Sequence, residues 1–375
     1  MIIPFIDLFA QYHSIKKEVD SAIQKVINSS DFVQGEEVDK FEIEFADYLN
    51  IKNCITLNSG TDALTIGLRA LDLSPGDEII IPTYNFIAAA VAAIENRLKP
   101  VFVDVDPHDF GMNLEDLEKK INPRTKAIIV VHLFGQPDKI SEIRQVIKKS
   151  GRKIYLIEDA CQAHGAKYKG RKVGSFGNFS VFSFYPTKNL GAFGDGGAIL
   201  TNDTILARKF RLIKQYGQKK RYFSEIFGIN SRLDSIQAAV LRVKLKHLDK
   251  WNSKRILLAN LYFKYFAESK IQIKTPRVFK ERKSVYHLFV IRASKRDELK
   301  EFLDRKGIKS MVHYPQSLHQ QKVYKYLGYK KGDFPNAEKI TKQNLSIPIY
   351  PELKKQKIRQ IVDEINSFYY SRIPL

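Results

Sequence analysis

The chain has 375 residues, 44% of them hydrophobic and 27% charged, which is enough to bury a large core in two domains or in one large domain with a smaller one. No stretch approaches the roughly 20 apolar residues of a membrane-spanning helix. The start, Met1-Ile2-Ile3-Pro4-Phe5-Ile6-Asp7, lacks the basic region and long apolar core of a signal peptide, and two cysteines, Cys54 and Cys161, do not make a disulfide framework, so a cytoplasmic protein without a membrane partner is expected. The net charge of +21 fits either a lysine-rich surface or a field that draws an anionic small molecule such as a nucleotide diphosphate. Lysines run from Lys16 to Lys357 without a basic arm or known binding motif, so no nucleic-acid partner is expected.

The run from Val19 to Ile27 reads as an N-terminal helical segment, and residues 1–30 are expected to pack on a smaller C-terminal domain. From about residue 50 to residue 202, apolar β-rich runs alternate with helical patterns. Cys54–Leu57 reads as a strand, followed by a helix through Ala63–Leu68. Glu78–Pro82 is the next strand and Phe86–Ile94 the next helix. Lys99–Val103, Ala127–Val131 and Ile154–Ile157 continue the series. Such alternation predicts an α/β fold with a mostly parallel sheet, and near-continuous Ile/Val runs predict strands covered on both faces. A long helix is predicted over Ser235–Ala267, from apolar residues at 3-to-4 spacing. The boundary between a large domain, 1–250, and a small α+β domain, 251–375, is placed inside it. Val285–Ile291 reads as a strand, with helices over Lys295–Lys306 and Lys355–Tyr370.

Two residues carry the strongest chemical signal. Asp159 ends the apolar run Leu156-Ile157-Glu158-Asp159, and Lys188 lies 29 residues later in Ser183-Phe184-Tyr185-Pro186-Thr187-Lys188-Asn189-Leu190-Gly191. A lysine amine can form a Schiff base with an aldehyde cofactor, and a carboxylate can ion-pair with a protonated pyridine nitrogen. Pyridoxal 5'-phosphate needs both. The separation allows a further strand and loop before the chain returns to the same pocket.

Asn58-Ser59-Gly60-Thr61-Asp62 follows a strand and opens a helix. It fits an ordinary N-cap, and it fits a phosphate site made of free helix N–H groups, a glycine and a hydroxyl. With Lys188 and Asp159 in the same chain, the phosphate reading is preferred, with Ser183 as a further hydroxyl. Phe86 follows the next strand and either stacks on a ring or packs in the core. Gln162 could hydrogen-bond a phenolic oxygen. Cys161 reads as buried packing and His164 as a structural hydrogen-bonding residue. Gly191 and Gly194-Asp195-Gly196-Gly197 suit turns that hold the lysine loop.

In this order and spacing the motifs resemble the DegT/StrS-type nucleotide-sugar aminotransferases, which have the aspartate-aminotransferase fold (fold type I). The resemblance runs from Ile3-Pro4-Phe5-Ile6-Asp7-Leu8 and Phe32-Val33-Gln34-Gly35 to His313-Tyr314-Pro315 and Leu345-Ser346-Ile347-Pro348. It implies that Lys188 binds the cofactor, that Asp159 pairs with its ring nitrogen, that Gln162 contacts its phenolic oxygen and that Phe86 stacks on it. Gly60, Thr61 and Ser183 would hold the phosphate. Asn230, in Gly228-Ile229-Asn230-Ser231-Arg232, would arrive from the neighbouring subunit of a homodimer with shared active sites. Related dehydratases carry histidine at the Lys188 position, so transamination is implied here. Gly194-Asp195-Gly196-Gly197 and Val312-His313-Tyr314-Pro315 resemble the branch that aminates C3 of a nucleotide-linked 3-keto sugar, with Tyr185, His313 and Tyr314 as sugar contacts. L-glutamate is the expected amino donor, and a dTDP-3-keto-6-deoxyhexose the expected acceptor. A UDP-linked sugar or amination at C4 is the alternative, and a non-catalytic PLP-binding regulator is the reading from another class.

Overall fold

The structure, a computed structural model, describes residues 2–269, 271 and 273–370. Helices α1 (Leu8–Ser14), α2 (Lys16–Ser29) and α3 (Glu36–Leu49) precede the first strand, β1 (Asn53–Leu57). Then follow α4 (Gly60–Arg69), β2 (Glu78–Pro82), α5 (Ala88–Glu95), β3 (Lys99–Val103), α6 (Leu114–Lys120), β4 (Thr125–Val131), α7 (Ile140–Lys149) and β5 (Tyr155–Asp159). After two short strands, β6 (Lys167–Tyr168) and β7 (Arg171–Lys172), come β8 (Phe179–Ser183), β9 (Gly197–Thr201) and α8 (Thr204–Ile213). A hairpin of β10 (Gln218–Lys220) and β11 (Phe223–Ser224) leads to α9 (Ser235–Ala267). The remainder holds β12 (Arg282–Lys283), β13 (Phe289–Arg292), α10 (Arg296–Arg305), α11 (Pro335–Gln343), β14 (Asn344–Ile347) and α12 (Lys355–Tyr370).

Seven strands form one sheet in the order β1-β9-β8-β5-β4-β2-β3. β9 runs antiparallel to both its neighbours, and every other pair in the β8-to-β3 run is parallel. The continuous apolar runs have the expected consequence. Ile79, Ile81, Ile129 and Val131 point into one core with α4, α5 and α8, while Ile80, Ile128 and Val130 point into a second with α3, α7 and the start of α9. A period of two sends alternate residues to opposite faces, so a sheet covered on both sides needs apolar residues at every position.

A third core packs the second half of α9 (Leu258, Tyr262, Phe266) against β13, β14, α10 and α12. The long helix is therefore shared: Ala238, Leu241 and Leu248 serve the sheet side, and its C-terminal turns serve the third core.

Two expectations differ in detail. The N-terminal segment divides. Ile3 bridges to Ile308 and joins the third core, whereas Ile15 and Val19 pack on Val240, Val243 and Trp251, in the first half of α9 and its middle. The apolar face of α2 finds its match on the nearer part of that helix. The strand expected over Val285–Ile291 begins only at Phe289. Residues 284–288 instead strap over Gly135: Val285 N–H donates to its carbonyl at 3.0 Å and Ser284 Oγ at 3.2 Å. Gly135 has φ +92°, and a Cβ there would meet the His287 nitrogen at 2.8 Å, so the strap fits only because this residue is glycine.

Candidate active site

Because β1, β2, β4, β5 and β8 all point one way, their C-terminal ends share one sheet edge, where open α/β sheets bind ligands. A cavity of about 520 Å³ lies there. It is lined by Gly60 and Thr61 after β1, Phe86 after β2, Asp159 and Gln162 at and after β5, and Ser183, Tyr185 and Lys188 at and after β8. His313 and Tyr314, from the C-terminal part, line it too. Ten of the eleven expected site residues thus meet in one place, and Asn230 does not. Asn230 is exposed in a separate concavity with Val33, Asn58, Arg232 and Asp234.

The start of α4 satisfies both sequence readings. Ser59 Oγ accepts the Asp62 N–H at 3.0 Å, so it is a true N-cap. Gly60 and Thr61, ahead of that bond, line the cavity with the partial positive charge of the helix N-terminus behind them. Ser231 ties the turn down: its hydroxyl donates to Asp62 Oδ2 at 2.6 Å and accepts the Asn58 N–H at 3.1 Å.

Phe86 is 51% exposed, which removes the core-packing reading of this ring. Its centroid lies 6.0 Å from that of Tyr314, tilted by 41°. Asp159 is buried at the end of β5, opposite Val131 and Val181, and its Oδ1 accepts the Cys161 N–H at 3.1 Å. Gln162 is fixed at both ends of its amide, with Oε1 accepting the Phe134 N–H at 2.7 Å and Nε2 donating to the Tyr314 hydroxyl at 3.0 Å. Lys188 sits in a turn closed by its N–H to the Tyr185 carbonyl at 2.8 Å. Burial lowers its amine below the usual lysine range, opposed by neighbouring Cys161 and Asp159.

His313 and Tyr314 are presented by a buried amide. Asn344, which begins β14, donates to the His313 carbonyl at 2.6 Å and to the Tyr314 carbonyl at 3.3 Å, and bonds the Tyr84 hydroxyl. His313 Nδ1 lies 2.9 Å from Ser346 Oγ, and its ring stacks on Phe5 at 5.8 Å. Burial, with the Lys188 charge adding to it, pushes the imidazole down to about 4.

Several lining residues escaped the sequence reading. Asn85 and Leu288 carried no signal of their own, and His287 fell in the expected strand. Cys161, expected as buried packing, is part of the wall. His164, expected as a structural hydrogen-bonding residue, is instead buried against Phe182 and Phe184 at 5.2 and 5.9 Å between centroids, and among the described residues neither ring nitrogen has a hydrogen-bond partner of good geometry.

The residues fit pyridoxal 5'-phosphate. A side chain at position 60 would overlap Ser183 and Cys161, so a glycine leaves a cradle at a helix N-terminus suited to a phosphate. A buried carboxylate and a lysine of lowered basicity share the same cavity. This fold and site define a fold-type-I transferase that uses the cofactor to move amino groups. A family model described as the DegT/DnrJ/EryC1/StrS aminotransferase family matches residues 13–366, and the chain belongs to that family.

The chain is 44% identical to the "Pleiotropic regulatory protein" of Geobacillus stearothermophilus, covering 98% of this chain and 99% of the relative. It is 41% identical to the dTDP-3-amino-3,4,6-trideoxy-alpha-D-glucose transaminase of Streptomyces venezuelae, covering 98% and 96%. Among solved structures, S. venezuelae DesV in complex with a ketimine intermediate superposes with a TM-score of 0.94 at 40% identity, covering 98% of each chain. The protein is a pyridoxal-phosphate-dependent aminotransferase. Among the described residues, no helix is long and apolar enough to cross a membrane.

Proposed function

We propose that the protein transfers an amino group from L-glutamate to the C3 ketone of a nucleotide-linked sugar, a dTDP-3-keto-6-deoxyhexose, to give a dTDP-3-amino-3,6-dideoxyhexose. The observation that carries this reading is the meeting of Lys188 and Asp159 with Tyr185, His313 and Tyr314 around one cavity. The name of the S. venezuelae relative supports the nucleotide and the C3 position.

When bound, pyridoxal phosphate supplies an electron sink for the charge left at the donor's α-carbon. The protein does the rest. Gly60, Thr61 and Ser183 hold the phosphate, and Phe86 covers one ring face. Asp159 keeps a proton on the pyridine nitrogen. Gln162, oriented by Phe134 and Tyr314, donates to the phenolic oxygen. Lys188 tethers the cofactor, and its amine, made less basic by burial, then takes the proton from the donor's α-carbon. Tyr185, His313 and Tyr314 face the sugar. His313 is neutral at pH 7, so it recognises hydroxyls rather than adding charge.

The partner subunit's Asn230 completes the phosphate site in a homodimer. Asn230 stands outside its own cavity, and the preceding segment exposes Tyr222, Phe223 and Phe227 at 78%, 65% and 96%. Apolar rings on that scale suit burial against a second copy.

The test is turnover with PLP, glutamate and a panel of 3-keto and 4-keto sugars linked to dTDP or UDP, with the product amine placed by NMR. Preference for 4-keto sugars overturns the C3 assignment. The name of the G. stearothermophilus relative favours a regulator as the second reading. Absence of turnover with every sugar, in protein that still binds PLP, selects it.

A further inference from the structure

Asn189, the residue after Lys188, is buried and makes three side-chain contacts. Its Nδ2 donates to Asn252 Oδ1 on α9 at 2.8 Å and to the Val285 carbonyl at 3.2 Å. A backbone carbonyl can only accept, so the orientation of this amide is fixed. Asn252 is fixed in the same way, because its Nδ2 donates to the His164 carbonyl at 2.8 Å. Asn189 Oδ1 therefore faces His287 Nδ1, at 3.3 Å. An amide oxygen accepts only, so the proton must lie on Nδ1 of His287.

The other edge of that imidazole then carries a bare lone pair. Among the described residues Nε2 has no hydrogen-bond partner, yet it is not sealed in, and His287 is part of the cavity wall with Lys188, Leu288 and His313. A bound ligand that shuts solvent out of the cavity must itself donate to this acceptor, or the lone pair is left unsatisfied. Protonation does not remove that need. Burial first, then the charges of Lys188 and Arg255 and the nearby His313 and His164, hold this ring well below the usual histidine range.

We infer that His287 is a substrate-contacting residue, held by Asn189 as the Nδ1–H tautomer so that Nε2 accepts a hydrogen bond from an O–H or N–H group of the bound reactant. The inference rests on the proposed aminotransferase site and adds to it a neutral acceptor beside Lys188. A sugar hydroxyl and the donor's ammonium share the required chemistry. The polar chain also links the lysine loop to the loop after Asp159, so Asn252 and Asn189 act as positioning residues for His287 and Lys188 together.

The experiment has a spectroscopic and a kinetic arm. In holoenzyme labelled with ¹⁵N-histidine, the His287 signals are assigned by their loss in His287→Gln. Nδ1 should be protonated and Nε2 bare from pH 6 to pH 9. An Nε2–H tautomer, or titration of the ring within that range, overturns the inference whether or not the chain turns over a sugar. In single half-reactions followed by cofactor absorbance, His287→Leu should weaken one reactant at least tenfold, and His287→Gln, which keeps an acceptor, should recover most of the loss. A defect confined to the sugar half-reaction assigns the donor as a hydroxyl, and one confined to the glutamate half-reaction assigns the ammonium. Affinities within twofold of wild type in both arms overturn the inference. Failure of the wild-type protein to lose its colour with glutamate would instead count against the aminotransferase reading.

Discussion

Gly60 stands so close to Ser183 that a Cβ on the glycine would lie 2.8 Å from the serine Cβ, and 2.9 Å from Cys161 Sγ. Three strand ends, those of β1, β5 and β8, converge at this point, and all three contribute to the proposed phosphate and ring contacts. Gly60→Ala should therefore push the start of α4 away from β8 while leaving the sheet folded. PLP affinity, measured by absorbance titration, is expected to fall at least tenfold, about 1.4 kcal/mol. Unchanged affinity would mean that the phosphate does not sit in this cradle.

Borohydride reduction of the yellow holoenzyme should fix the cofactor on Lys188, read by peptide mass spectrometry. Lys188→Ala should abolish turnover. Label on another lysine would sink the assignment.

Asp159→Asn keeps the shape of the side chain and its contact to the Cys161 N–H, but removes the charge. Turnover should fall by at least two orders of magnitude, about 3 kcal/mol in the barrier, with PLP still partly bound. Near-normal kcat in this variant would show that the ring nitrogen needs no anionic partner.

Asn230 and Lys188 line different concavities of the same chain, and this makes the proposed dimer testable. Lys188→Ala and Asn230→Asp proteins are each expected to be inactive. Mixed and allowed to exchange, they should recover up to roughly a quarter of wild-type activity, because half the dimers are mixed and one of their two sites is native. Mixed dimers that form, as shown by mass spectrometry, but stay inactive would place Asn230 at its own subunit's site or at neither.

His164 predicts acid sensitivity. Among the described residues neither ring nitrogen has a partner of good geometry, and burial, then the Lys188 charge, pushes the imidazole down to about 3, with a looser contact at the Ser183 backbone working the other way. A folded-state value below the unfolded one near 6.5 means that the unfolded chain binds the extra proton between pH 6.5 and about 3. Stability is thus lost as pH falls through that window, and His313 acts in the same direction. Between pH 7.5 and pH 5 the His164 contribution is about 2 kcal/mol. Urea unfolding of His164→Leu should show a loss smaller by about that amount, and an equal loss in both proteins would remove His164 as the cause.

Lys244 is a buried cation that reaches the lysine loop from α9. Its Nζ donates to the Gly191 carbonyl at 2.7 Å and lies 4.5 Å from the Phe193 ring centroid, and burial, opposed by Glu352, lowers it to about 8. Lys244→Met keeps the apolar stem and leaves that carbonyl unsatisfied. A loss of about 1–3 kcal/mol of stability is expected by chemical denaturation, with PLP still attached at Lys188. A variant as stable as wild type would mean that water replaces the bond.

Much of this protein is local and was legible in its sequence. Asp159 closes an apolar strand, Ser59-Gly60-Thr61 opens a helix, Lys188 sits in a turn-rich loop, and α9 runs over the residues its spacing predicts. Strand ends, caps and helical periodicity depend on neighbours within a few residues, so the chain itself announces them. Other features depend on segments far apart in sequence. Nothing in Gly197–Thr201 says that this strand must run antiparallel between β1 and β8, because pairing direction is set by the partners. The strap over Gly135 turned an expected strand into cavity wall and brought His287 to Lys188. The tautomer of that histidine follows from amides at positions 189 and 252, which only the packed structure brings within hydrogen-bonding distance. The sequence by itself named most of the residues that meet at the cavity; the tertiary structure decided what surrounds them, because burial and hydrogen-bond geometry exist only once distant segments have met.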